Sequence, residues 1–237
     1  MIDHSRIYRS RSPLHWHHRR RLRSVLELID GLSFGSPPIA YADVGCSNGY
    51  VTCRIVERLP AAEAAGFDYS EELLAEARRH HPAIRFYRVD LNKTVEWPRR
   101  YDFVSCLETL EHVGDLERAV RNLAAALAPG GTLLISVPIE IGAWGTLKFL
   151  AKRSLGYGLQ ELPGPPSSLQ YLRKLLVGRP ISVLRDARKN WSTHFGFDYR
   201  DVEAKLEECG LGIARAETRA GNRIILAGRR EDGSAAR

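Results

Sequence analysis

The sequence lacks several features that would assign it to a specialised class of protein. No apolar run approaches the roughly 18 residues needed to cross a bilayer. The basic N-terminus carries no apolar block of the kind found in signal peptides. Its four cysteines form no C-x-x-C pair, which favours free thiols over disulfides or a zinc site. We therefore expect a cytoplasmic protein with a sizeable core, since 44% of its 237 residues are hydrophobic.

Motifs for nucleic-acid and metal binding are also scarce. The basic segments hold no RNP-like or KH-like motif, so no specific nucleic-acid partner is expected, although a basic scaffold or RNA-binding protein stays open as an alternative. The histidines of HWHH at 15–18 stand beside arginines, and we interpret them as solvated surface rather than a metal site. Nothing in the sequence defines the oligomeric state.

The net charge of +7 is concentrated in two peripheral segments. Residues 1–37 hold seven arginines against three acidic residues, and residues 139–197 hold nine basic residues against three acidic ones. The remainder is net acidic. This distribution suits an enzyme whose added segments meet an anionic substrate or an anionic membrane surface.

Strand and helix patterns alternate along the central part of the chain, which predicts a parallel sheet covered on both faces. Ser70 is expected to cap a helix that begins after the second strand. The alternation breaks over 139–197 and resumes with a helix at FDYRDVEAKLEECGL. Two final strands follow, with a tight turn expected at Gly221–Asn222.

The first loop, within ADVGCSNGYV at 42–51, has the character of a cofactor loop. Ligands of such sheets bind at the carboxyl ends of the strands. Gly45 permits a sharp turn, and Gly49 is expected to let the backbone approach a ligand at the helix N-terminus. Asp68, at the end of the second strand, can accept both hydroxyls of a ribose, and Asp90 can accept from an adenine amino group. The alternative for each acid is a helix cap.

The stretches DVGCSNG, GFDYS, RVDL, YDFVSCLETLEH and LAPGGTLLISVP resemble the successive motifs of class I S-adenosylmethionine-dependent methyltransferases. The resemblance covers roughly 38–138 and 196–229. It implies an α/β fold with a doubly wound seven-stranded sheet, mostly parallel with a reversed C-terminal strand, helices on both faces and a helical lid insertion. The implied domains are a basic helical segment at 1–37, a methyltransferase domain at 38–229 with 139–197 as the inserted lid, and a disordered tail at 230–237.

The same resemblance implies S-adenosylmethionine as the cofactor. The residues that it places around the methionine part, the ribose, the adenine and the methyl group are Asp43, Gly45, Cys46, Ser47, Gly49, Asp68, Tyr69, Asp90, Leu91, Leu107 and Glu108.

Ser47 stands where most glycine-rich cofactor loops carry another glycine. S-adenosylmethionine is a sulfonium cation with a carboxylate and no pyrophosphate, so its loop needs no third glycine for phosphate approach. A serine in left-handed backbone costs on the order of 1 kcal/mol, and its hydroxyl can donate to the carboxylate. An NAD-dependent oxidoreductase is the rival enzyme class, but the missing glycine and the C-terminal hairpin weigh against it.

The stretch ETLEH at 108–112 is the first candidate for catalysis. A helix beginning directly after the fourth strand would place Glu108, Glu111 and His112 on one face. Three roles stay open there: packing or salt-bridging, a general base at His112, or a metal site. The pattern E-x-x-E-H resembles the ubiquinone-biosynthesis O-methyltransferases, where it is associated with a divalent metal.

His194 is the second base candidate, because it follows the insertion where the chain returns to the sheet. Its alternative role is packing at a helix start. The catalytic candidates are therefore Glu111, His112 and His194, and no residue is assigned as a metal ligand.

The insertion should select the methyl acceptor. Two stretches place apolar residues along one side, namely Trp144, Leu147, Ala151 and Leu155, then Leu169, Leu172, Leu175 and Leu176. We expect a lid whose apolar face packs on the domain, with contact to an anionic lipid surface as the alternative. The expected reaction is methyl transfer to an oxygen or nitrogen of a small, lipid-linked or nucleotide-linked anionic acceptor. Peripheral attachment at the membrane would accompany a lipid-linked acceptor.

Overall fold

The computed structural model describes residues 16–35, 37–60, 62–154, 168–185 and 191–229. Several predictions fall outside the described residues. They concern the tail at 230–237, the first 15 residues of the N-terminal segment, and Leu155. No helix among the described residues is long and apolar enough to cross a membrane.

Seven strands of the described chain form one sheet in the order β3-β2-β1-β4-β5-β7-β6. Strands β1 to β5 pair in parallel, whereas β7 runs antiparallel to both β5 and β6. This confirms the predicted doubly wound sheet with a reversed C-terminal strand. The strands are β1 Ile39–Val44, β2 Ala62–Asp68, β3 Arg85–Arg88, β4 Tyr101–Leu107, β5 Leu127–Pro138, β6 Leu211–Arg219 and β7 Asn222–Arg229.

Helices cover both faces of the sheet. They are α1 Trp16–Asp30, α2 Tyr50–Val56, α3 Glu71–His80, α4 Leu116–Ala126, α5 Gly142–Ser154, α6 Ser168–Leu176 and α7 Tyr199–Glu208, with 3-10 turns at Leu110–His112 and Ser182–Leu184. Successive strand residues face opposite sides: Phe103 packs with α1 and α2, and Val104 packs with α4 and α7. The predicted cap is present, since Ser70 Oγ accepts from the backbone N–H of Leu73 at 3.3 Å.

The turn between the last two strands lies one residue earlier than predicted. Ala220 and Gly221 have φ values of 51° and 80°. A two-residue turn with positive φ at both central positions is the type that matches strand twist. Asn222 belongs to β7, where it pairs with Arg219 and with Pro138. Its side chain is therefore available to the site described below.

The insertion between β5 and α7 has its own apolar cluster, which consists of Phe149, Tyr171, Leu175, Ile181, Trp191 and Phe195. The predicted packing face of α5 is wrong, because Trp144 and Leu147 are 50% and 58% exposed. The inward side instead carries Gly145 and Phe149, which lie one helical turn apart. A Cβ on Gly145 would lie 2.2 Å from the carbonyl oxygen of Glu140, so only glycine permits this close approach.

Candidate functional site

A pocket of about 560 Å³ opens at the carboxyl ends of β1, β2 and β4. Its size suits a small molecule rather than a macromolecular segment. Every predicted cofactor and catalytic residue lines this pocket except Gly49. The topology explains the convergence, because the carboxyl ends of parallel strands meet at one edge of the sheet.

The two loop glycines are required by neighbouring protein atoms. Gly45 has a φ of 84°, and a Cβ there would lie 1.9 Å from Thr109 Oγ1. Gly49 has a φ of 77°, and its Cβ would lie 2.9 Å from the Phe86 ring. Packing against Phe86 and His81 therefore accounts for the glycine at position 49, and its role beside a ligand stays a prediction.

Ser47 adopts the left-handed conformation considered above, with a φ of 51°. Its backbone N–H donates to Asp68 Oδ2 at 2.8 Å, which ties the loop to the end of β2. Its Oγ is buried and has no hydrogen-bond partner among the described residues. A buried hydroxyl without a partner is costly, so this atom fits a ligand group such as the cofactor carboxylate.

Asp68 and Asp90 line the pocket and also organise their own turns. Asp68 Oδ1 accepts from the backbone N–H of Ser70 at 2.9 Å, and Asp90 Oδ1 accepts from that of Asn92 at 3.0 Å. A carboxylate has about four acceptor positions. Each carboxylate therefore stabilises its turn and still has acceptor positions for the donors of a ribose or an adenine. Leu91 lies beside Asp90 in the pocket wall.

Asp43 is buried beneath the loop and held by two hydroxyls. Thr52 Oγ1 donates to its Oδ2 at 2.5 Å, and Ser105 Oγ donates to its Oδ1 at 2.7 Å. Burial raises the pKa of Asp43 from 3.8 to about 6, against the opposing effect of these hydrogen bonds, and the charge of Asp68 adds to the rise. Acidic groups in the wall suit a sulfonium cation, and the residues present therefore fit the expected cofactor.

Glu108 does not begin a helix, contrary to the prediction. Its φ is 52°, and the 3-10 turn starts only at Leu110. Its carboxylate accepts from Arg21 Nη1 at 2.8 Å and from Ser136 Oγ at 2.9 Å, and Asn222 Nδ2 donates to it as well. These contacts join α1, β5 and β7 above the pocket. The predicted single face shared by Glu108, Glu111 and His112 is therefore absent.

A different trio comes together. Glu111, His112 and His194 each offer a ligand atom, and these atoms lie within 4.8 Å of one another. Glu111 is fully buried, and neither carboxylate oxygen has a hydrogen-bond partner among the described residues. Burial first, and then the charge of Glu108, raise the pKa of Glu111 well above its ordinary value.

The two imidazoles are oriented by bonds at Nδ1. His112 Nδ1 lies 2.8 Å from the carbonyl oxygen of Trp191, and His194 Nδ1 lies 3.1 Å from Glu140 Oε1. Because a carbonyl or a carboxylate only accepts, each Nδ1 is a donor, so Nε2 of the neutral imidazole is the acceptor. Burial lowers the pKa of His112, which favours its neutral form.

Glu140 is the buried partner that holds His194. Besides His194 it meets Lys148 Nζ at 3.1 Å and Lys152 Nζ at 3.6 Å. Burial opposes ionisation of this carboxyl, but the hydrogen bond from His194 and the two lysine charges outweigh it and lower the pKa of Glu140. The carboxylate thus links α5 to the imidazole in the pocket.

The trio also fits a divalent cation. Two imidazole nitrogens and one carboxylate form a donor set that suits transition metals, and Nδ1 bonds of this kind orient metal-binding histidines. Glu111, whose carboxylate oxygens have no partner among the residues that the structure describes, would be the anionic ligand. Glu108, which the E-x-x-E-H resemblance would include, is bonded to Arg21 instead.

Sequence reasoning missed four residues of this site: His18, Arg21, Glu140 and Asn222. His18, interpreted as solvated surface, lines the pocket with Arg21. The contacts that define the other roles join residues 54 to 114 positions apart along the chain. No local pattern carries that information.

Comparison with known proteins gives the family. A family model described as a methyltransferase domain matches residues 15–163. The chain is 36% identical over 129 residues to a ubiquinone biosynthesis O-methyltransferase of Proteus mirabilis, which covers 52% of this chain and 50% of that protein. It is 38% identical over 96 residues to a trans-aconitate 2-methyltransferase of Variovorax paradoxus, covering 40% and 37%. The chain thus spans half or less of the length of these relatives.

Solved structures support the fold. An S-adenosylmethionine-dependent methyltransferase from Clostridium acetobutylicum superposes with a TM-score of 0.59 at 14% identity, over 95% of each chain. A TehB-like methyltransferase from Corynebacterium glutamicum gives a TM-score of 0.56 at 14% identity, over 92% of this chain and 100% of that one. The matched family model covers more than half of the chain, so the chain belongs to the methyltransferase domain family.

Proposed function

We propose that the protein methylates a hydroxyl oxygen of a small anionic acceptor and that His194 accepts the proton. S-adenosylmethionine, when bound, would supply the methyl group to the acceptor oxygen and leave as S-adenosylhomocysteine, with the electron pair of the broken carbon–sulfur bond on its sulfur. The hydroxyl proton passes to His194 Nε2. The observation that carries this proposal is the bond between His194 Nδ1 and the buried Glu140 carboxylate, which leaves Nε2 of the neutral imidazole as the acceptor in the pocket.

His194 suits this role better than His112. A carboxylate stabilises the imidazolium that forms when Nε2 takes a proton, whereas the carbonyl of Trp191 offers His112 only a neutral dipole. Burial also lowers the pKa of His112 and so disfavours its protonated form. His112 would then pack against His194, whose ring centroid lies 5.2 Å away.

An anionic acceptor is supported by two observations. His18 and Arg21 of α1 line the same pocket. Arg21 is held near the end of β4 by its hydrogen bond to Glu108. The relatives act, by their names, as an O-methyltransferase of ubiquinone biosynthesis and on trans-aconitate. The first name supports oxygen as the accepting atom, and the second names an acceptor with several carboxylates.

A second candidate arrangement has a divalent cation held by Glu111, His112 and His194. The partnerless buried oxygens of Glu111 favour it. When bound, such a cation would act as a Lewis acid that makes a hydroxyl more acidic. Glu140 would then orient His194 as a ligand rather than as a base.

The test combines turnover with cofactor binding. Release of S-adenosylhomocysteine is measured over a panel of phenolic acids, hydroxy acids and tricarboxylates, with and without EDTA. We expect His194→Gln and Glu140→Gln to bind S-adenosylmethionine like the wild type in calorimetry. Turnover should fall about 100-fold or more in His194→Gln and about tenfold in Glu140→Gln. Sensitivity to EDTA with restoration by Mn²⁺ would favour the cation. Full activity of His194→Gln on a tricarboxylate would refute the proposed base, because an ionised carboxylate needs none.

A further inference from the structure

A second cleft, of about 550 Å³, lies between α1 and the turn that joins β6 to β7. Its wall contains Arg19, Arg20 and Arg23 of α1, Arg219 of β6, and one acidic residue, Glu27. The four arginines against one glutamate give the wall an excess of three positive charges. Arg219 forms ion pairs with Glu217 at 2.8 Å and with Glu27 at 3.8 Å.

This cleft uses the opposite face of α1 from the cofactor pocket. The residues of α1 that line the cofactor pocket are His18, Arg21, Leu22 and Val25. With 100° per residue, they lie on the far side of the helix from Arg19, Arg20 and Arg23. One helix therefore separates a strongly basic surface from the site of methyl transfer.

One exposed tryptophan lines the basic cleft, and a second lies beside the turn that bounds it. Trp16 is 55% exposed, and the Arg20 guanidinium lies 5.1 Å from its ring centroid. Trp144 lies beside the turn, where its Nε1 is 3.2 Å from the position that a Cβ on Gly221 would take. Lys148 Nζ lies 5.9 Å from the Trp144 ring centroid. Each indole thus has a cation beside it.

The apolar surface continues along α5 from Trp144 to Leu147 and Leu150, which are also exposed. Helical spacing places the three residues within one broad side of α5. Exposing the apolar side of a helix to water does not stabilise a folded protein. An exposed apolar patch beside charged residues marks a surface for interaction.

We propose that the surface formed by Trp16, Arg20, Arg23, Trp144, Leu147 and Arg219 docks on an anionic phospholipid bilayer. Tryptophan concentrates at the level of the lipid headgroups, where its ring is buried and its N–H stays hydrated. Arginine binds phosphate through a planar fork of donors. Leu147, which lies one turn along α5 from Trp144, reaches the acyl boundary, as in helices that lie in the plane of the interface.

The apolar component favours a lipid surface over a nucleic acid. A polyanion in solution would satisfy the arginines but would leave Leu147 and Leu150 in water. This docking surface goes beyond the proposed reaction and does not depend on which residue accepts the proton. Because α1 lies against both the docking surface and the cofactor pocket, docking brings the pocket close to the lipid.

The experiment is co-sedimentation of the full chain with vesicles of phosphatidylcholine alone or of phosphatidylcholine with phosphatidylglycerol. We expect binding to the anionic vesicles only, with a blue shift of tryptophan emission. Arg20→Glu/Arg23→Glu should weaken this binding about 30-fold or more. Trp144→Ala/Leu147→Ala should weaken it about tenfold and reduce the blue shift.

Arg79→Glu/Arg100→Glu is the matched control, because it makes the same change in charge at exposed arginines that line neither the pocket nor the cleft. Circular dichroism and S-adenosylmethionine binding establish that each variant is folded. The proposal is overturned if the folded wild type does not sediment with anionic vesicles, or if the control pair weakens binding as much as the cleft pair. It is also overturned if single-stranded RNA binds as tightly and the Trp144/Leu147 pair has no effect.

Discussion

Replacing Asp43 by Asn should change how the stability of the protein depends on pH. The pKa of Asp43 is raised from 3.8 to about 6 in the folded protein, chiefly by burial. A carboxyl with a raised pKa stabilises the fold fully below its unfolded pKa, and this contribution is lost as the pH rises through the folded pKa. The difference of about 2 pKa units corresponds to about 3 kcal/mol in total. Roughly half of that loss falls between about pH 5 and pH 7.5.

Urea unfolding of the wild type and Asp43→Asn at several pH values measures this contribution. Asparagine keeps the shape of the side chain and can still accept from Thr52 or Ser105, so the variant should fold. The free energy of unfolding of the wild type should fall, relative to that of the variant, by about 1 to 2 kcal/mol between about pH 5 and pH 7.5. Other titrating groups cancel in the difference because both proteins carry them. Parallel curves over this range would refute the raised pKa of Asp43.

Three further predictions concern the pocket. Ser47→Gly should raise the free energy of unfolding by about 1 kcal/mol by relieving left-handed strain, yet weaken S-adenosylmethionine binding about fivefold in calorimetry, since the hydroxyl is lost; unchanged affinity would contradict the contact. Asp68→Ala should weaken the same binding by about 100-fold, because ribose acceptance and the tie to Ser47 are both removed, and near wild-type affinity would exclude that role. Arg21→Met should raise KM for an anionic acceptor about tenfold with little change in cofactor affinity, and an unaltered KM would place the anion elsewhere.

The fold was largely predictable because its determinants are local. The alternating apolar strands and the Ser70 cap each act within a few residues. The turn that was predicted at the wrong position also has a local cause. The last turn moved by one residue because Ala220 as well as Gly221 takes a positive φ, which leaves Asn222 in the strand.

The acceptor side of the site was less predictable because distant elements build it. Glu140 follows β5 and meets His194 after the whole insertion has intervened. The packing side of α5 follows from the close approach of Gly145 to Glu140. Amphipathic spacing placed Trp144 and Leu147 on the packed side, but spacing alone does not say which side of a helix meets the protein.

The stretch ETLEH shows that a shared motif can predict which residue types line a site without predicting how they are arranged. On a helix, its two glutamates and histidine would share a face. The left-handed backbone at Glu108 turns that carboxylate toward Arg21 and Asn222, and leaves Glu111 and His112 in the short 3-10 turn that follows. The place beside them is taken by His194, which arrives from the insertion. Glu108 already has three polar partners, whereas the Glu111 carboxylate has none within the part of the chain that the structure describes. A cation or an acceptor hydroxyl entering this pocket therefore gains more from Glu111 and the two imidazoles than from Glu108.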